Sequence, residues 1–303
     1  HRVTRLGVGG MSADAIPEES RNVHPSQLGF LDPVRASEAL SIGVDLRGVE
    51  NVMKGSDGLL YRKVVGKDGK EKIVNPVQMA DAVVAFPNEK KDSDVVRVIR
   101  GGQVDYAKPG EVDYWLPEGS GLFTRTSNLV PGLSSIKGGR LLMAAKFFTQ
   151  ALPLENPEAP LVRSATPTGS KYTSFEAQTG DVSGALRAKD GGRVIGVTPD
   201  SIKVQYTNGK KDEIELYNNF LMNQKVRFHQ TPLVKPGDTF EPNQLLAHSN
   251  FTDKQGNFAP GTNLRVAYMP YEGNYEDSVV ISESAAKKLT SEHMYPVKYR
   301  PND

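Results

Sequence analysis

The sequence predicts a mixed α and β fold in which β structure dominates. The chain has 29 glycines and 20 prolines among 303 residues, and these separate short runs of β-branched residues. Segments with sustained helical periodicity are fewer than segments of strand length. A composition of 38% hydrophobic and 24% charged residues is that of a globular protein. Disordered and fibrous classes are therefore excluded.

Five runs alternate in polarity or stay apolar over the length of a strand. They are residues 94–100, 193–198, 202–206, 213–217 and 264–269. An Asn-Gly pair lies in the segment TNGKKD between the third and fourth runs, and Asn-Gly favours the tight turn of a β-hairpin. Residues 193–217 are therefore predicted to contain a hairpin.

Helical periodicity predicts helices over 75–86, 140–152 and 282–289, with Ser282 as the N-cap of the last. In LVKPGDTFEPNQLLA, Pro236 and Gly237 are expected to reverse the chain and Asp238 to cap the reversal. Polar or proline-rich composition predicts linkers at 88–94 and 155–160, and a further boundary is expected near residue 60.

Charge and residue usage exclude several classes of function. The 37 basic and 36 acidic residues nearly balance, so any nucleic-acid contact must be local rather than spread over the chain. The absence of cysteine excludes disulfides, cysteine-ligated zinc and thiol catalysis. No apolar run approaches the roughly 18 residues of a membrane span, and the amino terminus lacks the apolar stretch of a signal peptide. Because residue 1 is not methionine, we expect a fragment or a processed chain.

Familiar catalytic motifs are missing. The glycine-rich LGVGG at 6–10 lacks the third glycine of a dinucleotide fingerprint, and the sequence has neither GxxxxGK[ST] nor GxSxG. Its histidines never occur at the i, i+4 spacing of a zinc site. The adjacent carboxylates Glu276 and Asp277 enter an apolar run, where they can form a solvated turn or contribute to a metal site.

Several blocks nevertheless follow one another in the order found in one family, the β subunit of multisubunit DNA-dependent RNA polymerase. The chain resembles this family in HRVTRLGVGGMS with RNVHPSQLGFLDP (1–33), YRKV (61–64), VDY (112–114), RLLMAAKFFTQALP with PLV (140–162), NQ with HQTPLVKPGD (223–238) and NLRVAYMPYEGNYEDSVVISE (263–283). The resemblance covers nearly the whole chain but only the middle of a full β subunit.

Two segments depart from the family pattern. The family motif CPIETPEGPNIGL appears as DPVRASEALSIGV at 32–44, and the loop GYNFED appears one residue shorter as GNYED. The chain thus resembles a strongly diverged member, such as the split β subunits of large bacteriophages. Since the first of these segments contributes polar groups to the family's rifampicin pocket, we expect poor rifampicin sensitivity.

The resemblance implies a domain organisation. Residues 1–60 would form a fork-like region, 61–110 an external or lobe-like insertion, and 111–165 a segment close to the active centre. Residues 166–303 would begin the hybrid-binding region, with part of a double-psi β-barrel and barrel-sandwich-like elements.

The resemblance also implies a function: part of the catalytic core of a DNA-directed RNA polymerase, a nucleotidyltransferase. Arg140 would bind substrate phosphates. Glu276 and Asp277 would influence the second Mg²⁺ through water, while the β′ partner holds most of the magnesium ligands. Substrate or nucleic-acid contacts are expected from Arg2, Arg21, Glu38, Lys146, which replaces a family asparagine, and Gln150.

The implied partners are β′-like subunits, the remaining β portion, and α-like or sigma-like subunits, together with template DNA, RNA and nucleoside triphosphates. No membrane is involved, and the expected location is the cytoplasm of a bacterium or of a phage-infected host. The alternative is a noncatalytic β-barrel module that binds nucleic acid or has a structural role.

Overall fold

The computed structural model describes residues 2–37, 39–222 and 225–300. The chain divides into two compact units. The first unit contains the residues up to Thr149 together with Pro167–Gly169. The second contains Gln150–Thr166 and the residues from Ser170 onward. The boundaries predicted near 60 and 110 both fall inside the first unit, and the predicted segment 111–165 extends across the division.

The first unit is built mainly from short strands. These strands are β1 (Arg2–Thr4), β2 (Asp45–Arg47), β3 (Met53–Lys54), β4 (Leu60–Gly66), β5 (Glu71–Val74), β6 (Val84–Ala85), β7 (Val96–Arg100), β8 (Gln103–Ala107) and β9 (Tyr114–Trp115). Its helices are α1 (Pro76–Ala80), α2 (Arg125–Asn128) and α3 (Gly138–Thr149). Short 3₁₀ turns occur at Ala13–Ala15, Glu19–Arg21, Pro25–Gln27, Ala39–Ser41, Pro109–Glu111, Gly119–Leu122 and Leu133–Ser135.

Most of these strands belong to one seven-stranded sheet. Its order is β3-β4-β9-β6-β7-β8, with β5 also paired to β4, and β6 and β9 run parallel while the other pairs are antiparallel. Two buried apolar clusters cover it, one around Phe30, Val64 and Val84 and one around Val98 and Trp115. Strands β1 and β2 form a separate antiparallel pair.

The helix predicted over 75–86 is shorter than expected. It begins at Asn75, which forms a reciprocal capping box with Gln78, and it ends at Ala80. Val84 and Ala85 instead form strand β6 between β7 and β9, where both are at most 1% exposed. Sheet pairing and burial of β-branched valine outweigh the helical pattern here.

The second unit contains the remaining strands and helices. Its strands are β10 (Leu186–Arg187), β11 (Gly192–Val197), β12 (Ser201–Tyr206), β13 (Lys211–Glu215), β14 (Phe220–Leu221), β15 (Arg227–Phe228), β16 (Gln230–Pro232), β17 (Thr239–Phe240) and β18 (Leu245–Ser249). Its helices are α4 (Phe175–Val182) and α5 (Glu283–Lys288).

Among the described residues of this unit, the strands form three small sheets. They have the orders β13-β12-β11-β17, β10-β18-β16 and β14-β15. The first two share a buried apolar cluster that includes Val194, Ile202, Val204, Phe240 and Leu246. The overall β-dominant, mixed class predicted from the sequence is therefore confirmed.

Several local predictions are confirmed in the second unit. Strands β12 and β13 pair as the expected hairpin, with Gly209 at φ +82° in the turn. Gly237 has φ +98°, and the Asp238 carboxylate accepts from the Lys235 amide at 2.8 Å, as the chain reversal required. Ser282 caps α5 by accepting from the Ala285 amide at 3.2 Å.

Two predictions in loops are wrong. Residues 88–94 do not link domains, because they connect β6 to its antiparallel neighbour β7 within one sheet. Residues 264–269 do not form a strand. Their backbone pairs with no strand in the part of the chain that the structure describes, and side chains such as Val266 and Tyr268 are 71% and 98% exposed. An alternating pattern alone does not make a strand without a partner.

No helix among the described residues has the length and apolar content needed to cross a bilayer.

Candidate functional site

Helix α3 presents Arg140 to solvent. Leu141 and Ala145, one turn apart, are buried at 3% and 0% exposure and fix the inner face of the helix. Arg140 lies on the outer face, where its Nη1 is 3.8 Å from the sulfur of Met143. A guanidinium so placed has donors available for an anion, since the thioether is only a weak acceptor.

Lys146 and Gln150 lie farther along the same stretch of chain. Lys146 is partly buried, and its carbonyl accepts from the Thr149 hydroxyl at 2.6 Å. With 1.5 Å of rise per residue, Arg140 and Lys146 are about 9 Å apart along the helix axis. Gln150 is exposed and is the first residue of the second unit.

Glu276 and Asp277 occupy the two central positions of a tight turn. The Ser278 amide donates to the Tyr275 carbonyl at 3.2 Å, and the Ser278 hydroxyl donates to the same carbonyl at 2.7 Å. Asp277 has φ +59°, a left-handed conformation that aspartate tolerates better than most residues. Both carboxylates are exposed, which leaves their oxygens accessible to water or to a cation.

A cavity of about 980 Å³ adjoins this turn. It is lined by residues on both sides of the acidic pair, among them Asn274 and Ser278, and by exposed aromatic and aliphatic groups such as Tyr268 and Ile281. Its mixed apolar and polar lining is typical of a surface that another molecule covers.

Glu158 binds two residues that line this cavity, Asn263 and Lys288. Its Oε2 accepts from the backbone amide of Asn263 at 2.9 Å and from Asn263 Nδ2 at 3.1 Å, while its Oε1 accepts from Lys288 Nζ at 3.2 Å. These contacts lower the pKa of Glu158 to about 2, and the hydrogen bond from the Asn263 amide is the largest cause. Sequence reasoning missed this residue because its partners are 105 and 130 positions away.

The possible metal ligands in the described residues do not form a complete metal-binding site. Within residues 2–37, 39–222 and 225–300, no group of three or more histidine, aspartate or glutamate side chains could hold a metal ion. Glu276 and Asp277 offer hard oxygen donors of the kind Mg²⁺ prefers, but two exposed neighbours fall short of octahedral coordination.

Arg2 belongs to a cluster around a buried carboxylate. Its Nε and Nη2 donate to the two oxygens of Asp45 at 2.8 and 3.0 Å, and Arg47 Nη1 donates to Asp45 at 2.7 Å. Burial would raise the pKa of Asp45, but hydrogen bonds from Arg2, Arg47 and Ser37 outweigh it and lower the pKa to about 2. Arg2 keeps 61% of its side chain exposed.

The Arg21 guanidinium connects two loops through hydrogen bonds to their backbone carbonyls. Nη1 donates to the carbonyls of Leu40 and Ile42 at 2.7 and 3.1 Å, and Nη2 and Nε donate to Ala13 and Ile16 at 2.5 and 3.3 Å. These contacts show a structural role, whereas the expected contact with nucleic acid stays a prediction. Glu38, the remaining candidate of this region, lies outside the described residues.

Sequence reasoning also missed Arg62. Its side chain is 5% exposed, and Nη1 donates to the carbonyls of Gly29 and Gly121 at 2.7 and 3.1 Å. Burial lowers its pKa to about 10. Gly29, at φ +83°, leaves no room for a Cβ, which would lie 2.0 Å from this guanidinium. An arginine in a strand pattern carries no local signal of such burial.

Comparison with known proteins agrees with the order of motifs along the chain. The β subunit of DNA-directed RNA polymerase from Rubrobacter xylanophilus is 34% identical over 100% of this chain. The corresponding subunits of Corynebacterium jeikeium and Tropheryma whipplei are 32% and 31% identical over 97% and 95% of it. The family model for RNA polymerase Rpb2, domain 6, matches residues 188–300. The chain belongs to the RNA polymerase β-subunit family.

This β-subunit chain spans about a quarter of the length of those relatives, between 25% and 27%. The family model lies entirely within the second unit, which carries the acidic turn and the cavity beside it. These relatives are bacterial, and kinship to split phage subunits stays a prediction.

Proposed function

We propose that this chain forms part of the substrate-binding and nucleic-acid-binding surface of a DNA-directed RNA polymerase, a nucleotidyltransferase. The observation that carries the proposal is the match to polymerase β subunits along the entire chain. The exposure of Arg140 and of the acidic turn supports it, because residues that meet a substrate or another subunit must be accessible in this chain alone.

Arg140 binds the triphosphate of the incoming nucleotide. In the reaction, the RNA 3′ oxygen forms a bond to the α-phosphorus, the bond to the β-phosphate oxygen breaks and pyrophosphate leaves. A guanidinium can donate to two phosphate oxygens at once and remains charged throughout, so it can hold the phosphates in line and stabilise the leaving group.

Glu276 and Asp277 assist at the magnesium site through water. Bound Mg²⁺ would neutralise charge on the triphosphate and activate the attacking oxygen. These carboxylates can accept hydrogen bonds from water on such an ion, and the hydrogen bonds from Ser278 to the Tyr275 carbonyl hold the pair at the tip of the turn. The principal ligands would belong to the β′-like partner, as the resemblance to the family implies.

The remaining candidates would contact nucleic acid. Lys146 and Gln150 follow Arg140 along the chain and could meet the RNA or the RNA–DNA hybrid, and Arg2 keeps an exposed guanidinium edge beside Asp45. Arg21, which also holds its loops in place, and Glu38 would contact nucleic acid from the fork-like segment. Such contacts with phosphates position a strand without reading its sequence.

The partners in this proposal are a β′-like subunit, the remaining β portion, and α-like or sigma-like subunits, working on template DNA and nucleoside triphosphates in the cytoplasm. The double-psi barrel expected of the second unit would be completed within that assembly.

The experiment is to tag the chain in its source cells, purify it under native conditions and identify bound chains by mass spectrometry. A β′-like chain and template-dependent incorporation of nucleotides in the purified material are expected. A chain that purifies alone and binds nucleic acid without synthesis would instead be a noncatalytic module. That outcome would overturn the proposal.

A further inference from the structure

A second charged pocket lies in the first unit. Its volume is about 380 Å³, and its walls are formed by residues 47–52 and 124–126 with Arg35 and Thr149. Three arginines line it, namely Arg35, Arg47 and Arg125, against one carboxylate, Glu50. The guanidinium groups of the lining residues therefore outnumber the one lining carboxylate, although Arg47 and Arg125 are each paired with a carboxylate.

Buried carboxylates hold two of these arginines in place. Arg125 donates to Glu50 Oε1 from Nε and Nη2 at 3.1 and 2.6 Å, and the Glu50 side chain is only 5% exposed. Arg47 donates from Nη1 to Asp45, whose side chain is 8% exposed. Side chains that are already ordered lose less conformational entropy when they bind a ligand.

Both arginines nevertheless stay accessible. The side chains of Arg47 and Arg125 remain 31% and 35% exposed. A guanidinium carries five N–H donors, and the contacts of Arg47 with Asp45 and with the Leu46 carbonyl involve Nη1 alone. Donors are therefore left on each group for a ligand in the pocket.

Arg35 is the third arginine of the lining. Its Nη2 is 3.2 Å from the hydroxyl oxygen of Thr149, which also lines the pocket. In the segment DPVRASEALSIGV this arginine stands where the family motif quoted above has its first glutamate. The charge at this position is thus reversed relative to that motif.

We propose that this pocket binds a phosphate group, supplied by a single-stranded nucleic acid or by a nucleotide. Arginine forks match the spacing of phosphate oxygens, and the Thr126 hydroxyl, which also lines the pocket, can supply a further donor. The volume exceeds what a lone carboxylate fills and lies in the range of small-ligand sites, about 300 to 1,000 Å³.

The site is separate from the triphosphate contact proposed for Arg140. Thr149 and Arg140 are at opposite ends of α3, about 13 Å apart at 1.5 Å of rise per residue. The phosphate site can therefore be tested independently of that role.

The test uses the complete protein in its native assembly without Mg²⁺, and it needs a readout that identifies the position of binding. Single-stranded RNA containing 4-thiouridine and a 5′ hydroxyl is cross-linked by light, and modified peptides are mapped by mass spectrometry. A parallel arm uses 8-azido-ATP. Arg35→Gln removes the charge at this position and Arg35→Glu reverses it, and neither substitution replaces a residue of the Arg47–Asp45 or Arg125–Glu50 ion pair. Arg97→Gln, at an arginine paired with Glu89 elsewhere in the same unit, is the control.

Cross-links to peptides covering 47–52 or 124–126 are expected in the parent and in Arg97→Gln, and pyrophosphate should compete with them. Loss of charge-assisted hydrogen bonds should weaken cross-linking roughly tenfold in Arg35→Gln and more in Arg35→Glu. If only the RNA cross-links, the ligand is a phosphate of a nucleic-acid strand. If only the azido nucleotide cross-links, the ligand is a free nucleotide. Either result supports the proposal.

Other results would overturn it. One such result is a parent that is labelled elsewhere but not on these peptides, and another is labelling of both Arg35 variants as strong as that of the parent. Binding of oligoglutamate to the parent that is lost in Arg35→Glu, with no labelling of these peptides by either phosphate probe, would make the pocket a site for an acidic peptide instead. Arg140→Ala should leave the labelling unchanged, and its abolition by that substitution would show that no separate phosphate site exists.

Discussion

Arginine side chains in this chain differ in what their nitrogens contact. Arg21 and Arg62 donate to backbone carbonyls and thereby fasten loops. Arg2 and Arg47 pair with the buried Asp45, whereas Arg140 contacts only a thioether among the partners seen here. Since a guanidinium committed to carbonyls has fewer donors for a ligand, these contacts separate structural arginines from candidates for binding.

Arg140→Ala should reduce the use of nucleoside triphosphate by the assembled polymerase roughly ten- to hundredfold, because charge-assisted hydrogen bonds of about 1.5 to 3 kcal/mol are lost. Steady-state kcat/KM for nucleotide incorporation is the measurement. Arg97→Ala, which removes an exposed arginine from β7, serves as control. Equal kcat/KM values for Arg140→Ala and the parent would show that Arg140 does not bind the substrate.

The turn that contains Glu276 and Asp277 is tested with substitutions that preserve its backbone conformation. Glu276→Gln with Asp277→Asn removes both charges, and asparagine tolerates the left-handed conformation at position 277. Catalysis should fall about ten- to hundredfold, with a larger defect at low Mg²⁺ because higher ion concentration restores occupancy. Extension assays across a magnesium titration measure this.

Template binding is the internal control for that double variant, and it should be unchanged because loss of negative charge costs no phosphate contact. Superimposable titration curves for variant and parent would leave the pair as an ordinary solvated turn. Complete loss of synthesis at every Mg²⁺ concentration would instead make the carboxylates direct ligands.

Asp45 should make stability depend on pH. Its pKa is about 2 in the folded protein against 3.8 for a free aspartate, so its ionised form favours folding above the higher value. At neutral pH, Asp45→Asn should lower the free energy of unfolding by about 2 kcal/mol. The difference from the parent should shrink as the pH falls below 4 towards 2.

Denaturant unfolding at several pH values tests this expectation. Asp92→Asn, in the exposed loop before β7, should match the parent throughout. A destabilisation by Asp45→Asn that stays constant from pH 7 to pH 3 would mean that lost packing, rather than lost charge, is responsible.

At the scale of elements, the residues of the turn determine how the β12–β13 hairpin forms. In the β12–β13 hairpin the Gly209 amide donates to the Tyr206 carbonyl, and the Tyr206 amide donates to the Lys210 carbonyl, both at 2.9 Å. The Asn208 side chain also accepts from the Lys210 amide. Gly209 alone takes a positive φ, which indicates a type I turn followed by a left-handed glycine.

Gly209→Ala should therefore destabilise the second unit by about 1 kcal/mol, through backbone strain rather than collision. No atom lies within 4 Å of the added Cβ. Gly209→Asn should recover much of the loss, because asparagine accepts this conformation more readily. Thermal unfolding of the two variants compares them, and equal melting temperatures for Gly209→Ala and the parent would contradict a strained turn.

At the scale of the whole molecule, the segment from 264 to 281 exposes many of its apolar side chains. Val266, Tyr268, Val279 and Val280 are all more than half exposed. Apolar surface of this extent is typical of an interaction site. In a chain that spans about a quarter of its relatives, we expect other parts of the polymerase to cover it.

Hydrogen exchange measures whether other parts of the polymerase cover this segment. Backbone amides of 264–281 should exchange quickly in the chain alone and at least tenfold more slowly in the assembled polymerase, where partners can accept their hydrogen bonds. Exposed loop 88–94 of the first unit provides a reference that should change little. Equal exchange of 264–281 in both states would show that the segment stays uncovered.

Sequence alone determined the β-dominant class, the hairpin, the Ser282 cap, the Asp238 reversal and the family, since each depends on residues near one another or on ordered motifs. The tertiary structure decided that 84–85 is a strand and 264–269 is not, because strand formation requires a partner distant in sequence. It likewise brought together Arg2 with Asp45, 43 positions apart, and Glu158 with Asn263 and Lys288. No local pattern encodes such pairs, because their energies arise only when burial and distant donors meet in the folded chain.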